Sequence, residues 1–209
     1  MKTEDILSLA NPDKAAKMLS LESKYPGAMQ SVTNILKSLG EDVTRQGIID
    51  TPYRVVKSFL EFYGGYDMND KEILSTSFQE ESISYDEMVI CKDISFFSTC
   101  EHHMVPFHGK CHIGYLPKEE VVGLSKLARL TECFSRRLQI QERLCNQIAN
   151  SIEKHLNAVG VGVIIEAQHL CMCARGARNH SSVMVTSALR GKFKTQIETR
   201  NEFLNLIKK

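Results

Sequence analysis

Residues 87–116, EMVICKDISFFSTCEHHMVPFHGKCHIGYL, hold two stretches of strand composition separated by a connection that carries most of the reactive side chains. The flanking stretches, 87–97 and 110–116, are rich in the β-branched and aromatic residues that favour strands. A proline and a glycine interrupt regular structure between them. The segment therefore predicts a β-hairpin, with Cys100-Glu101-His102-His103 at a strand end and in its loop.

The chain before this hairpin predicts a helical arm, residues 1–65. Its clearest helix is TPYRVVKSFLEFYGG (51–65), which opens with Thr51 at the cap position and Pro52 in the first turn, and closes on two glycines. The arm carries apolar faces between polar rims. We expect those faces to pack on a partner surface such as another subunit.

The chain after the arm, residues 66–209, predicts an α+β domain. Apolar residues between 121 and 156 follow helical spacing and predict two helices, and two further apolar stretches predict a strand pair before a short terminal helix. The strand pair is VGVGVIIEAQHLCMC (159–173) with SSVMVTSAL (181–189), and the terminal helix is TRNEFLNLI (199–207). This order is typical of an antiparallel sheet that carries its helices on one face.

Composition narrows the class of protein. The chain has 209 residues, 43% hydrophobic and 24% charged, which is typical of a globular protein. A net charge of +1 gives no basic surface for nucleic acid or an anionic membrane. The N-terminus shows no export signal, and the longest apolar stretch is too short to span a bilayer. We expect a cytoplasmic location with no nucleic-acid or membrane partner.

Two remote segments offer ligands of the kind that zinc prefers. Cys100 and His103 have a common chelate spacing, and a second group contains His169, Cys171 and Cys173. Strand alternation would place the second group on one side of the sheet. A site with three protein ligands would stay open, and water bound there could become a nucleophile. The spacing does not choose between Cys171 and Cys173.

The remaining cysteines and histidines predict less specific roles. His102 points differently from its neighbour His103 and is free to move a proton. An odd total of seven cysteines argues against a disulfide framework and for reduced thiols. Four cysteines are predicted to be small buried hydrophobic side chains: Cys91, Cys111, Cys133 and Cys145.

A small basic group accompanies these residues. GLSKLAR (123–129) places Ser125, Lys126 and Arg129 along one edge of a helix, and Arg175 follows the second cysteine group. Any one of these cations is ordinarily a solvated surface charge, but several near a metal site would suit a polyphosphate.

Gln141 and Glu142 open the second helix. A carboxylate there ordinarily interacts with the helix dipole, yet it could equally accept two N–H groups of a base such as guanine.

Several motifs in this chain occur together in one known family. They are FFSTCEHHMVPFHGKCHIGYLP (96–117), VVGLSKLARL (121–130), QIQERLCNQI (139–148), HLCMCARG (169–176) and TSALRG (186–191). In this set and order the chain resembles the GTP cyclohydrolase I family. The resemblance covers most of the chain, whereas a lone zinc-like spacing would not have been specific.

The resemblance implies a role for each candidate residue. The metal is then Zn²⁺ held by Cys100, His103 and Cys171, and the proton carriers are His102 and His169, with Ser125 as a further catalytic candidate. The substrate contacts that it implies are Arg54, Ser125, Lys126, Arg129, Gln141, Glu142 and Arg175.

The resemblance also implies a fold, an assembly and a reaction. The fold is the tunnelling fold, an antiparallel sheet with two helices on one face, here with an added helical arm. The assembly is a decamer of two stacked pentamers with active sites where subunits meet, so that Arg54 would reach in from a neighbour. The reaction is hydrolytic opening of the guanine imidazole ring of GTP, release of formate and rearrangement to 7,8-dihydroneopterin triphosphate, the first step of tetrahydrofolate and pterin synthesis.

Two other classes of protein remain as alternatives. One is another tunnelling-fold enzyme that acts on a related pterin or deazapurine and needs neither the triphosphate group nor this Cys/His set. The other is a non-catalytic protein in which zinc only holds two loops together.

Overall fold

The computed structural model describes residues 12–75, 77–78, 87–118 and 121–208. It divides into two compact units, Met1–Phe62 and Tyr63–Lys209. The part of the predicted arm before residue 12 lies outside the described residues. Nowhere in the described segments is a helix both long and apolar enough to cross a bilayer.

From residue 12 onward, the first unit contains the helices α1 (Pro12–Lys24), α2 (Ala28–Ser38) and α3 (Thr51–Phe62). The predicted start of α3 at Thr51 is confirmed. Met18, Met29 and other apolar residues form a small core between the helices. Two apolar residues near the end of α2 lie outside it, since Ile35 is 60% and Leu39 is 77% exposed.

The second unit is built around a β-sheet, and a 3₁₀ turn, Gly64–Asp67, precedes it. Its described elements are α4 (Asp70–Leu74), β1 (Ser77–Phe78), β2 (Val89–Cys100), β3 (Pro106–Leu116), β4 (Val121–Val122), α5 (Leu124–Ser135), β5 (Leu138–Gln139), α6 (Gln141–Leu156), β6 (Gly160–His169), α7 (Leu170–Cys173), β7 (Met184–Gly191), α8 (Lys192–Thr195) and α9 (Ile197–Lys208). The sheet has five strands in the order β5-β2-β3-β6-β7, and β1 and β4 form a separate two-stranded ladder.

The predicted hairpin is confirmed as β2 and β3, and its register positions the site. β3 pairs antiparallel with both β2 and β6, with Thr99 opposite Pro106 and Phe107 opposite His169. Because β2 and β6 flank the same strand, they run in the same direction and end at the same edge of the sheet.

The shortest strand departs from the antiparallel expectation. β5 pairs parallel with β2, with Cys100 opposite Gln139, so the sheet is mixed. A two-residue strand has no periodic pattern, and the sequence therefore did not predict it.

Helices cover both faces of the sheet. On one face, side chains of β3 and β6 such as Ile113 and Val163 pack with α5 and α6 in the main core. On the opposite face, Phe193 and Phe203 of α8 and α9 lie directly over Gly162, where an added Cβ would be 2.5 Å from the Phe193 ring. Helices α5 and α6 therefore share one face. The wider expectation that all helices of the domain lie on that face is corrected, because α8 and α9 cover the other.

A second correction concerns residues 159–173, which were predicted as one strand. The strand ends at His169, and Leu170–Cys173 forms a helical turn. Cys171 and Cys173 are therefore not strand residues, and the expectation that they lie with His169 on one side of the sheet is wrong. A short apolar run cannot be assigned to strand or helix by periodicity alone, which explains the difference.

Candidate metal centre and active site

The common edge of β2 and β6 brings the two predicted ligand segments together. Cys100 is the last residue of β2, and its N–H donates to Val105 O at 2.9 Å across the loop that follows. Met104 closes that loop with a positive φ of 53° and donates its N–H to Cys100 O at 2.8 Å. Glu101 N–H donates to Gln139 O at 3.0 Å, which ties the loop to β5.

Three side chains converge at this edge. The ligand atoms of Cys100, His103 and Cys171 all lie within 4.8 Å of one another, so this group could hold a metal ion. Cys100 is buried and His103 is exposed, which leaves one side of the group open to solvent. Cys173, the alternative ligand, is buried at 7% exposure and does not belong to the group.

The two thiols affect each other electrostatically. Burial raises the pKa of Cys171, and the neighbouring Cys100 thiol raises it further, whereas Arg175 lowers it. Two thiolates at this spacing would repel each other. A divalent cation between them would remove that repulsion, because the thiolate is the form that binds metal. All seven cysteines are unpaired.

Arg175 contacts the third member of the group. Its Nη1 lies 2.8 Å from His103 Nε2. A guanidinium can only donate, so Nε2 accepts and a neutral His103 carries its proton on Nδ1. That Nδ1 faces Cys100 Sγ at 3.8 Å.

His102, the first predicted proton carrier, lies beside the metal-binding group. Its side chain is 64% exposed, and its Nε2 is 3.9 Å from Glu101 Oε1. The other carboxylate oxygen of Glu101 accepts a hydrogen bond from Arg143. His102 is thus accessible to a ligand and lies next to an anchored carboxylate. No role for Arg143 is predicted from the sequence, and nothing in its position on the helix predicts this contact.

His169, the second predicted proton carrier, is held on two sides. Its ring stacks on Phe107 with centroids 4.6 Å apart and planes 2° from parallel. Its Nε2 lies 2.8 Å from the side-chain oxygen of Gln141. Burial lowers the pKa of His169, opposed by a smaller effect of the Glu142 carboxylate. His169 is therefore neutral near pH 7 and able to accept a proton.

Comparison with known proteins assigns this chain to a family. The GTP cyclohydrolase I family model matches residues 28–208. The chain belongs to the GTP cyclohydrolase I family. The family prediction made from the sequence motifs is confirmed.

Named relatives agree with this assignment. A GTP cyclohydrolase 1 of Dictyostelium discoideum is 52% identical over 85% of this chain and 76% of its own length. One of Wolinella succinogenes is 48% identical over 90% of this chain and 100% of its own length. Among solved structures, the archaeosine synthase QueF-Like in the apo form covers 50% of this chain and 93% of its own, at 14% identity. Its TM-score of 0.42 is too low to support an argument about the fold.

The GTP cyclohydrolase I motif QIQERL includes a glutamine that is enclosed in protein. Gln141 is 1% exposed, and its side-chain nitrogen lies 2.9 Å from Ile165 O, 3.0 Å from Met184 O and 3.2 Å from Thr186 Oγ1. Its oxygen faces His169. Every polar atom of this amide therefore has a protein partner, while Glu142 in the same turn is exposed.

Besides Arg175, which follows α7, the predicted phosphate contacts lie on two helices. Ser125 and Lys126 belong to the first turn of α5, and Arg129 is exposed one turn later. Arg54 is exposed on α3 in the helical unit, with its Nη2 3.4 Å from Asp50 Oδ2. Of the predicted phosphate contacts in the second unit, Arg175 is the one that the described residues show in hydrogen-bond contact with the metal-binding group, through His103.

Proposed function

We propose that this chain catalyses zinc-dependent opening of the guanine imidazole ring of GTP, with release of formate and rearrangement to 7,8-dihydroneopterin triphosphate. A hydrolase acting on GTP, at the first step of pterin synthesis, follows from the family. The observation that carries the detailed proposal is the convergence of Cys100, His103 and Cys171 at the sheet edge that also holds His102 and His169.

The metal-binding group suits zinc. Two thiolates and one imidazole form a borderline-soft donor set, and three protein ligands are typical of catalytic rather than structural zinc. We assign Cys100, His103 and Cys171 to the ion. When bound there, zinc would supply the Lewis acidity that lets water ionise near neutral pH and serve as the hydrolytic nucleophile.

The two histidines are assigned the proton transfers. His102, exposed beside Glu101, would protonate N7 of guanine as C8 is attacked. His169, neutral and half-buried, would accept a proton during opening and rearrangement of the ribose, with Ser125 as a second acid–base candidate. Glu142 would hold the guanine edge, because an exposed carboxylate can accept both N–H groups of that edge.

The first turn of α5 is assigned to the triphosphate. Ser125 and Lys126 stand at the N-terminus of a twelve-residue helix, where the dipole favours an anion. Arg129 adds a guanidinium. Arg175 is assigned as a further phosphate contact. If His103 bound the metal through Nδ1, its Nε2 would carry a proton and could no longer accept a hydrogen bond from Arg175. The Arg175 guanidinium would then be available to a phosphate group.

Replacing Arg129 by alanine tests the triphosphate assignment. We expect KM for GTP to rise roughly tenfold to a hundredfold, the equivalent of one charge-assisted hydrogen bond. KM for GMP, which lacks the outer phosphates, should change less. Arg136→Ala, at the other end of the same helix, is the matched control. Equal effects of both changes on KM would contradict the assignment.

The finer assignments of fold, assembly and compartment are also part of the proposal. We assign the tunnelling fold and a decamer of two stacked pentamers in which Arg54 completes a neighbour's site. Support for an assembly comes from large exposed apolar side chains, including Ile35 of α2 and Leu39 just beyond its end. A reducing compartment, the cytoplasm, would keep the ligand thiols reduced.

Incubation with GTP tests the function against its rivals. We expect formate release together with a pteridine that fluoresces after oxidation, in equal amounts. An enzyme for a related pterin or deazapurine would leave GTP unchanged and convert its own substrate instead. A purely structural zinc protein would bind metal and release no formate. Either of those outcomes would refute the proposed function.

A further inference from the structure

We propose that Gln141 is a positioning residue that fixes the proton of His169 on Nε2 and leaves Nδ1 as the basic atom. The inference rests on the proposed function, because it assigns an atom to a proton transfer that His169 is proposed to make. It differs from the expected role of Gln141 as a substrate contact, which the enclosed amide does not favour.

The orientation of the Gln141 amide follows from its neighbours. Its nitrogen faces the backbone oxygens of Ile165 and Met184, and a backbone carbonyl can only accept a hydrogen bond. Reversing the amide would place an oxygen against both carbonyls and leave the buried nitrogen facing His169. The oxygen is therefore the atom that His169 meets.

The tautomer of His169 follows from that orientation. An amide oxygen can only accept, so the Nε2 that lies 2.8 Å away must carry a proton. In a neutral imidazole the other nitrogen, Nδ1, is then bare. Among the described residues Nδ1 has no hydrogen-bond partner, so its lone pair is available to a ligand.

The ring plane is fixed independently. Phe107 is fully buried at 0% exposure and stacks on His169 from the neighbouring strand. The stack sets the plane, and the Gln141 contact sets the rotation within it. Together they present Nδ1 in one orientation, and pre-set geometry of this kind supports proton transfer.

Solid-state ¹⁵N NMR of protein labelled in its seven histidines measures the tautomer directly. The His169 signals are assigned by their loss in the His169→Asn variant. We expect a protonated Nε2 and a bare Nδ1 in the parent protein at neutral pH. A parent His169 protonated on Nδ1 would overturn the inference, and this measurement needs no variant of Gln141 and no turnover.

Gln141→Met removes the acceptor while keeping the length of the side chain. We expect His169 to lose its single tautomer and kcat to fall on the order of tenfold to a hundredfold, with KM for GTP and metal content near the parent's. Thr186→Val is the matched control, because the two carbonyls still orient the amide after the hydroxyl is lost. It should keep both the tautomer and kcat.

Two results contradict the positioning role. In the first, Gln141→Met keeps the Nε2-protonated ring and the parent's kcat. In the second, Thr186→Val loses the single His169 tautomer and the parent's kcat as fully as Gln141→Met does. That result would indicate general disruption of the hydrogen bonds around Gln141. Since the spectra are independent of GTP conversion, failure of this inference is distinguishable from failure of the proposed function.

Discussion

Cys171→Ser is expected to lose bound zinc and with it nearly all GTP turnover. Changing a residue that only supports a metal ligand typically costs about 10–100-fold in affinity or activity, and loss of a ligand should exceed that. In the described part of the chain, Cys171 is one of three residues whose ligand atoms meet at the site. Serine would replace its thiolate, a ligand that zinc prefers, with a hydroxyl. Metal analysis of the purified protein, with formate release from GTP, measures both effects.

Cys173→Ser is the matched control for that change. Cys173 lies two residues away in the same helical turn, but it is buried and outside the metal-binding group. We expect the parent's zinc content, with at most a modest loss of stability from a buried hydroxyl. Zinc retained in Cys171→Ser and lost in Cys173→Ser would overturn the choice of ligand.

His102→Ala is expected to lower turnover about 10²–10⁴-fold, the usual contribution of general acid–base catalysis. The metal should remain, because His102 is not among the three converging ligands. The side chain is 64% exposed, so its removal leaves no large cavity and should not destabilise the fold. Turnover and metal content are measured on the same preparation.

His180→Ala serves as the control for loss of an exposed imidazole, because the hydrogen bond that His180 makes in the described part of the chain is accepted by its backbone oxygen, from Gln168. That variant should keep the parent's turnover. If His102→Ala kept full turnover as well, His102 would not be the proton carrier. If it lost its metal, the role of His102 would lie in the ligand set.

The elements with a strong local pattern could be predicted from the sequence. Helix α6 follows from apolar residues at four-residue steps, and its observed span, Gln141–Leu156, agrees. The hairpin of β2 and β3 follows from strand composition around a loop with breakers. Of the four cysteines predicted to be buried, Cys111, Cys133 and Cys145 are buried. Cys91 is only partly buried and packs against the main core.

The features that could not be predicted depend on register and on long-range contacts. The parallel pairing of β5 involves two residues, too few for a periodic signal. The face covered by α9 depends on Gly114 and Gly162, which leave room for Phe203 across the sheet. Neither glycine reveals that contact locally.

In the site, too, some features could be predicted from the local sequence and others could not. Residue types and spacing predicted Cys100 and His103 as one pair of ligands and left Cys171 and Cys173 as alternatives. The helical turn at 170–173 separates these two cysteines, and a short apolar run does not predict such a turn. The enclosure of Gln141 was also missed, because a polar residue at a helix start is ordinarily expected at the surface.

GTP turnover before and after removal of zinc tests the central claim most directly. The protein is stripped with a chelator, its fold is checked by circular dichroism, and formate release is followed as zinc is added back. We predict almost no formate from the stripped protein and recovery in proportion to bound zinc, up to one ion for each Cys100–His103–Cys171 group. Formate released by the stripped protein as fast as by the zinc-loaded protein would contradict the account.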